Sequence, residues 1–151
     1  MTATDPLSVV SVVLKTADNH LVLQQRDHNP LGEAHLRGKV GFFGGHGEPG
    51  ESLTTTAVRE IEEELELKMD SAFLKHLGRF QKEFAIHGDH NFVNVFLYDQ
   101  PVDPSRLVVH EGTGYVLVSP SNLSQVNLTP FGLHLTEFMF GLSATIEQFR
   151  H

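Results

Sequence analysis

The sequence contains no cysteine, which excludes a disulfide framework, a thiol nucleophile and a thiolate metal site. It also lacks long apolar runs: residues 9–14 form the longest early one, which is far too short to span a membrane. No basic segment precedes that run, so we expect no signal peptide and a cytoplasmic protein without membrane contact. Positive charge is scarce as well, since 11 lysines and arginines face 19 aspartates and glutamates.

The resulting formal net charge of −8 predicts a surface that repels nucleic acid, so we expect no nucleic-acid partner. A phosphate ligand would need a local reversal of sign, for which a divalent cation is the natural candidate. With 151 residues, of which 40% are hydrophobic, the chain is long enough to bury a core as one domain over residues 1–151.

Runs rich in β-forming residues, bounded by turn-forming clusters, predict several strands, and two segments have helical signals. Ser52 is a suitable N-cap for a helix that continues to about Leu67, and Thr129-Pro130 predicts the start of a closing helix from Phe131 to about Phe149. We expect an α+β protein, an α/β/α sandwich with a mixed sheet between helices. The predicted strands cover residues 9–15, 20–25, 40–43, 73–85, 91–98 and 115–118.

The first predicted helix concentrates negative charge on one face. With Glu60 at zero on a helical wheel, Glu63 lies at about −60° and Glu64 at about +40°. A separate apolar stripe can pack on the sheet, so the carboxylates stand beside that contact; it consists of Val58, Ile61 and Leu65. Like charges at these spacings destabilise a helix unless a hard cation such as Mg²⁺ binds them. A solvated acidic face remains the alternative interpretation.

The glycines before this helix and the acids within it stand at fixed spacing. The segment resembles the Nudix box, G-x5-E-x7-R-E-U-x-E-E-x-G-U, where U is a bulky aliphatic residue. One position departs, because Glu66 stands where that family has a glycine; it either adopts the left-handed conformation of a helix end or lets the helix continue. The matching residues are Gly45, Glu51, Arg59, Glu60, Ile61, Glu63, Glu64 and Leu67.

The resemblance implies a Nudix fold and hydrolysis of a nucleoside diphosphate linked to another group, with Mg²⁺ or alternatively Mn²⁺ as cofactor. It implies that the metal ligands are the carboxylates of Glu60, Glu63 and Glu64, with the carbonyl of Gly44 as a backbone ligand. Glu60 or Glu111, the latter in a loop similar to one in mutator-type relatives, would activate the attacking water.

The resemblance also implies supporting roles. Arg59 would hold carboxylates, and Glu51 would tie the glycine loop, with Gly45, to the helix. Substrate contacts are expected from Arg26, Lys39 and Phe131, although a plain surface charge and a buried helix residue are the alternatives for the arginine and the phenylalanine.

The box predicts diphosphate chemistry but not the substrate, so a nucleoside triphosphate, a nucleotide sugar and ADP-ribose all remain open. A non-catalytic nucleotide sensor of the same fold is the alternative function, and an acidic interaction domain without a ligand is a third. The resemblance leaves room for a homodimer. Glu62 and Glu66 fall off the acidic face and serve as negative controls.

Overall fold

The computed structural model describes residues 8–28, 37–81 and 92–142. In these ranges two α-helices and seven strands form the main elements, with short 3-10 turns between them. The helices are α1 (Leu53–Leu65) and α2 (Pro130–Met139). The strands are β1 (Val9–Lys15), β2 (Leu21–Gln25), β3 (Val40–Gly41), β4 (Phe43–His46), β5 (Leu74–Gln81), β6 (Phe92–Pro101) and β7 (Gly114–Val118).

The seven strands form one mixed sheet with β1 near its centre. β1 runs parallel to β6 on one side and antiparallel to β4 and to the start of β2 on the other. β5 continues the sheet beyond β6, while β2 also pairs with β3 and β7. The predicted mixed sheet is therefore confirmed, and β1 and β2 form an antiparallel hairpin.

Each face of the sheet carries its own apolar core. Side chains alternate along β1, so Val10 and Val12 lie in the core that contains Ile61 of α1. Val13 faces the other way, into the core that contains Leu135 of α2. Removal of each such side chain from water stabilises the fold by about 1.5–3 kcal/mol. The two helices cover opposite faces, which confirms the predicted α/β/α sandwich.

Helix α1 begins where the sequence predicts. The Ser52 hydroxyl accepts a hydrogen bond from the Thr55 N–H at 3.1 Å and so satisfies one of the free donors of the first turn. The helix ends at Leu65, two residues before the predicted end at Leu67. Glu66 takes the left-handed conformation, with φ of 53°, at a cost of about 1–2 kcal/mol for a residue with a side chain.

Other boundaries differ from the prediction for local reasons. The single strand predicted over 40–43 is two strands, and β4 continues through the glycines to His46 because Gly44 lies directly on β1. A Cβ at Gly44 would stand 2.0 Å from the Val10 carbonyl oxygen. β6 extends to Pro101, beyond the predicted end at residue 98.

The closing helix is shorter than predicted. α2 ends at Met139, not near Phe149, and Gly141 follows in the left-handed region with φ of 69°. Residues 143–151 lie outside the described part of the chain, as do residues 82–91, where the predicted strands over 73–85 and 91–98 end and begin. Neither described helix has the length and apolar character needed to cross a bilayer.

Candidate active site

The turn from β4 into α1 brings backbone and carboxylates close together. The Gly44 N–H donates to Glu64 Oε2 at 3.2 Å, which links the strand to the helix. A Cβ at Gly45 would stand 2.3 Å from Cδ of Glu60, so only the absence of a side chain leaves room for that carboxylate. The two glycines therefore have different tasks: one fits against β1 and Glu64, and the other makes space for Glu60.

Arg59 joins three of the predicted acidic residues and the strand. Its Nε–H and Nη2–H donate to the two oxygens of Glu51 at 2.6 and 2.9 Å, a bidentate fork. Nη1–H donates to Glu60 Oε1 at 2.9 Å and to Glu63 Oε2 at 3.2 Å. A further Nη2–H bond of 3.0 Å reaches the His46 carbonyl. The guanidinium thus fixes the acids of α1 relative to β4.

Glu51 is held from several directions. Besides Arg59, its Oε1 accepts from the Glu48 N–H at 2.8 Å and from the Thr56 hydroxyl at 2.9 Å. The hydrogen bond with Arg59 is the main reason that the pKa of Glu51 falls to about 2. The same bond raises the pKa of Arg59. Glu51 is therefore a carboxylate at any physiological pH.

Glu64 and Glu60 are in the opposite electrostatic situation. Only 3% of Glu64 is exposed, and this burial, followed by the nearby negative charge of Glu111, raises its pKa to about 9. Burial also raises the pKa of Glu60, against the opposing effect of Arg59. Charge repulsion from Glu111 contributes at both residues, so these three acids from α1 and the β6–β7 connection share one site.

Glu111 is exposed, and its loop is attached to the end of β2. The buried Gln24 side chain donates from Nε2 to the Glu111 carbonyl at 3.0 Å. The Thr113 N–H donates to the Gln25 carbonyl, also at 3.0 Å. Between them Gly112 has φ of 84°, and a Cβ there would stand 2.4 Å from that same carbonyl oxygen. A glycine is therefore required for the loop to approach β2 this closely.

The acidic residues of this site can meet the needs of a hard cation. Over residues 8–28, 37–81 and 92–142, no three histidine, aspartate or glutamate side chains form a ready-made metal cage. The chemistry still fits, because Mg²⁺ prefers carboxylate oxygens and keeps several waters, so the side chains need not form a complete cage. Burial and the neighbouring acids raise the pKa values of Glu60 and Glu64. A bound cation would compensate the negative charge of these carboxylates.

The remaining predicted residues lie in various places. Arg26, at the end of β2, has its Nε buried without a hydrogen-bond partner among the described residues, and this atom would stand 3.8 Å from a Cβ at Gly41. The Lys39 carbonyl accepts from the Arg26 N–H at 2.9 Å. Phe131 is partly buried against the α2 core. Glu62, the predicted control position, is exposed, and so is Glu63.

Two residues of the site, Thr56 and Gln24, carry little or no signal in the sequence. Thr56 is fully buried and its hydroxyl bridges Glu51 and the Ser52 carbonyl, which is at 3.1 Å. Its position four residues after an N-cap is the only available signal, and that signal is weak. Gln24 contacts Glu111 across 87 positions of sequence, so no local pattern could reveal it.

The fold is thus a mixed sheet between two helices, with a glycine turn that leads into a carboxylate-bearing helix. The sequence profile of the NUDIX domain matches residues 5–135, and the chain belongs to this family. No protein of curated function matches the sequence.

Solved structures share the fold. A MutT from work on Aliivibrio salmonicida and Vibrio cholerae has a TM-score of 0.68 at 19% identity, over 90% of this chain and 98% of that one. The NUDIX domain of Shewanella oneidensis NrtR, in complex with ADP ribose, has 0.67 at 18% identity, over 89% and 86%. The Escherichia coli dihydroneopterin triphosphate pyrophosphohydrolase has 0.66 at 17% identity, over 94% and 100%.

Proposed function

We propose that this protein is a metal-dependent pyrophosphohydrolase that cleaves a phosphoric anhydride bond in a nucleoside diphosphate linked to another group. One observation carries the proposal: acids from two separate elements gather where burial and mutual repulsion raise the pKa of Glu64 to about 9. A stable fold gains nothing from such an arrangement, whereas a site for a hard cation and a polyphosphate needs it.

The metal would be Mg²⁺, with Mn²⁺ as an alternative, held by Glu60, Glu63, Glu64 and the Gly44 carbonyl. When bound, the cation would neutralise phosphate oxygens and so favour attack at phosphorus. Arg59 would keep Glu60 and Glu63 in place, since it donates to both. The N–H of Gly44 would orient the Glu64 carboxylate.

Glu111 is the acid best suited to handle the attacking water, because its side chain is exposed while Glu60 is bound to Arg59. Glu111 would take one proton from the water as its oxygen bonds to phosphorus. The anhydride P–O bond would break as the new P–O bond forms, and each product would carry a terminal phosphate from its side of the cleaved bond. Glu60 is the second candidate for this base.

The charges of the protein indicate how an anionic substrate would be bound. The protein is acidic overall, so affinity for an anionic nucleotide would come from the cation and from Arg26, whose guanidinium Nε has no partner among the described residues. Lys39 and Phe131 are further candidate contacts. Nucleoside triphosphates, nucleotide sugars and ADP-ribose are the compounds to test, together with dihydroneopterin triphosphate, the substrate named for one structural neighbour.

The test is chromatographic separation of the hydrolysis products of this panel, with Mg²⁺ or with a chelator, because nucleotide sugars and ADP-ribose would give two phosphomonoesters rather than free phosphate or pyrophosphate. We expect chelator-sensitive turnover of at least one compound. Glu60→Gln should lower kcat by about 10² or more, because removal of a metal ligand or base has effects of this size. Glu62→Gln, on the exposed side of the same helix, is the matched control and should stay near wild type. Equal loss in both variants would contradict the assignment.

A nucleotide sensor is the second candidate, and one finding favours it: the NUDIX domain of NrtR, which has the same fold, was solved with ADP ribose. Binding of a panel member without turnover under any metal condition would support the sensor and refute the hydrolase. Calorimetry on the same panel separates the two.

A further inference from the structure

The segment that leads to Glu111 lies against the carboxyl end of α1. The Val108 N–H donates to the Leu65 carbonyl at 3.1 Å, and the His110 N–H donates to the Glu64 carbonyl at 2.8 Å. These bonds use carbonyls that have no partner within the helix. A backbone hydrogen bond thus joins Glu64, a proposed metal ligand, to His110, which directly precedes the proposed base Glu111.

A side-chain contact reinforces this junction. Glu66, the first residue after α1, directs its carboxylate to Nε2 of His110, and the two atoms are 2.5 Å apart. His110 immediately precedes Glu111. Together with the Gln24 bond to the Glu111 carbonyl, this contact holds the loop from two sides, one at α1 and one at β2.

Stability alone does not explain Glu66. It adopts a left-handed conformation with φ of 53°, which glycine takes without strain. Its contact with His110 is solvent-exposed, with 55% and 52% of the two side chains accessible, and exposed polar pairs of this kind contribute little to folding. A residue that is unfavourable for the backbone and contributes little through this contact calls for another reason.

We propose that Glu66 is a positioning residue, which acts through His110 to fix the loop of Glu111 relative to Glu64. This proposal rests on the proposed hydrolase function. It also revises the use of Glu66 as a negative control, because only Glu62 remains free of side-chain contacts to the site in the described structure.

The decisive variant is Glu66→Gly, since it should move stability and activity in opposite directions. Glycine relieves the left-handed strain, so the urea midpoint should rise. Loss of the contact should lower kcat by about 5- to 20-fold, with KM within about 2-fold, because small misplacements of a reacting group are costly. If Glu66 had a purely structural role, a substitution that raises stability would not also lower kcat.

Two further variants test the route through His110. Glu66→Gln keeps the length and a hydrogen-bonding end, so its kcat should stay within about 2-fold of wild type. His110→Ala should lower kcat as much as Glu66→Gly does, and the double variant should lose no more than either single one. Additive losses would show that Glu66 acts elsewhere and would overturn the proposal.

Amide hydrogen exchange gives a readout that does not depend on turnover. In Glu66→Gly, peptides over residues 107–113 should exchange about 3- to 10-fold faster, while those over α1 keep wild-type protection. Absence of turnover in the wild type would refute the hydrolase function, but amide exchange would still show whether the contact of Glu66 with His110 holds the loop. Unchanged exchange in this loop would overturn the positioning role even if the enzyme is active.

Discussion

Replacement of Glu64 by glutamine should stabilise the metal-free protein at alkaline pH. The folded protein holds a proton on Glu64 up to a pKa of about 9, whereas the reference value is 4.5. Between these values the folded state binds more protons than the unfolded state, so the free energy of unfolding falls as pH rises. Glutamine has nearly the same shape and no charge to bury, so it removes this loss.

The magnitude follows from the width of the interval. Each pH unit is worth about 1.4 kcal/mol, so the span from 4.5 to pH 8 gives an upper bound of about 5 kcal/mol. Relaxation and water entry reduce such values, and we expect a gain of about 2 kcal/mol for Glu64→Gln at pH 8 and almost none at pH 5. Urea denaturation in chelator at several pH values measures both.

Added Mg²⁺ provides the complementary measurement. The cation should stabilise the wild type more at pH 8 than at pH 6, because binding displaces the proton of Glu64, and should have little effect on the variant. Glu62→Gln is the control and should follow the wild type throughout. Stability curves of wild type and Glu64→Gln that run parallel between pH 5 and 9 would refute the reasoning.

Two other substitutions test the rest of the site. Gly45→Ala places a Cβ where it would stand 2.3 Å from Cδ of Glu60; we expect kcat to fall by about 10-fold or more, with under about 1 kcal/mol lost in urea denaturation. A kcat near wild type would show that the carboxylate can shift freely. Glu51→Gln removes the group whose pKa is lowered to about 2, so its stabilisation, present above pH 4.5 and lost toward pH 2, disappears. The variant should be about 1–2 kcal/mol less stable at pH 7 and should converge with wild type in acid, as circular dichroism melts can measure.

Much of the fold was predictable because its signals are local. The β-branched run in Val9–Lys15 and the N-cap at Ser52 each predict an element from a few neighbouring residues, and both elements are present. The end of the closing helix was not predictable, since apolar residues continue at helical spacing beyond Met139 while the chain turns at Gly141. Periodicity records which face is apolar, not where a helix stops.

In the candidate site, too, the local features could be predicted from the sequence and the long-range contacts could not. The spacing of Glu60 and Glu64 on one helix could be read directly, because a helix fixes the angle between them. The bidentate partner of Arg59 could not, since the wheel favours Glu63 at four residues' distance, whereas the fork closes on Glu51 across the loop. The contacts of Gln24 with Glu111 and of Glu66 with His110 exist only after folding.

The contact of Gly44 with β1 determines how closely β4 lies to the centre of the sheet. Because a backbone atom of the central strand occupies the place of its side chain, β4 sits at a distance from Val10 and Ser11 that no other residue type would keep. A side chain at Gly44 would push β4 away from β1 and carry the Gly44 amide away from Glu64. A substitution at Gly44, which has no polar side chain of its own, would therefore also disturb the acidic site.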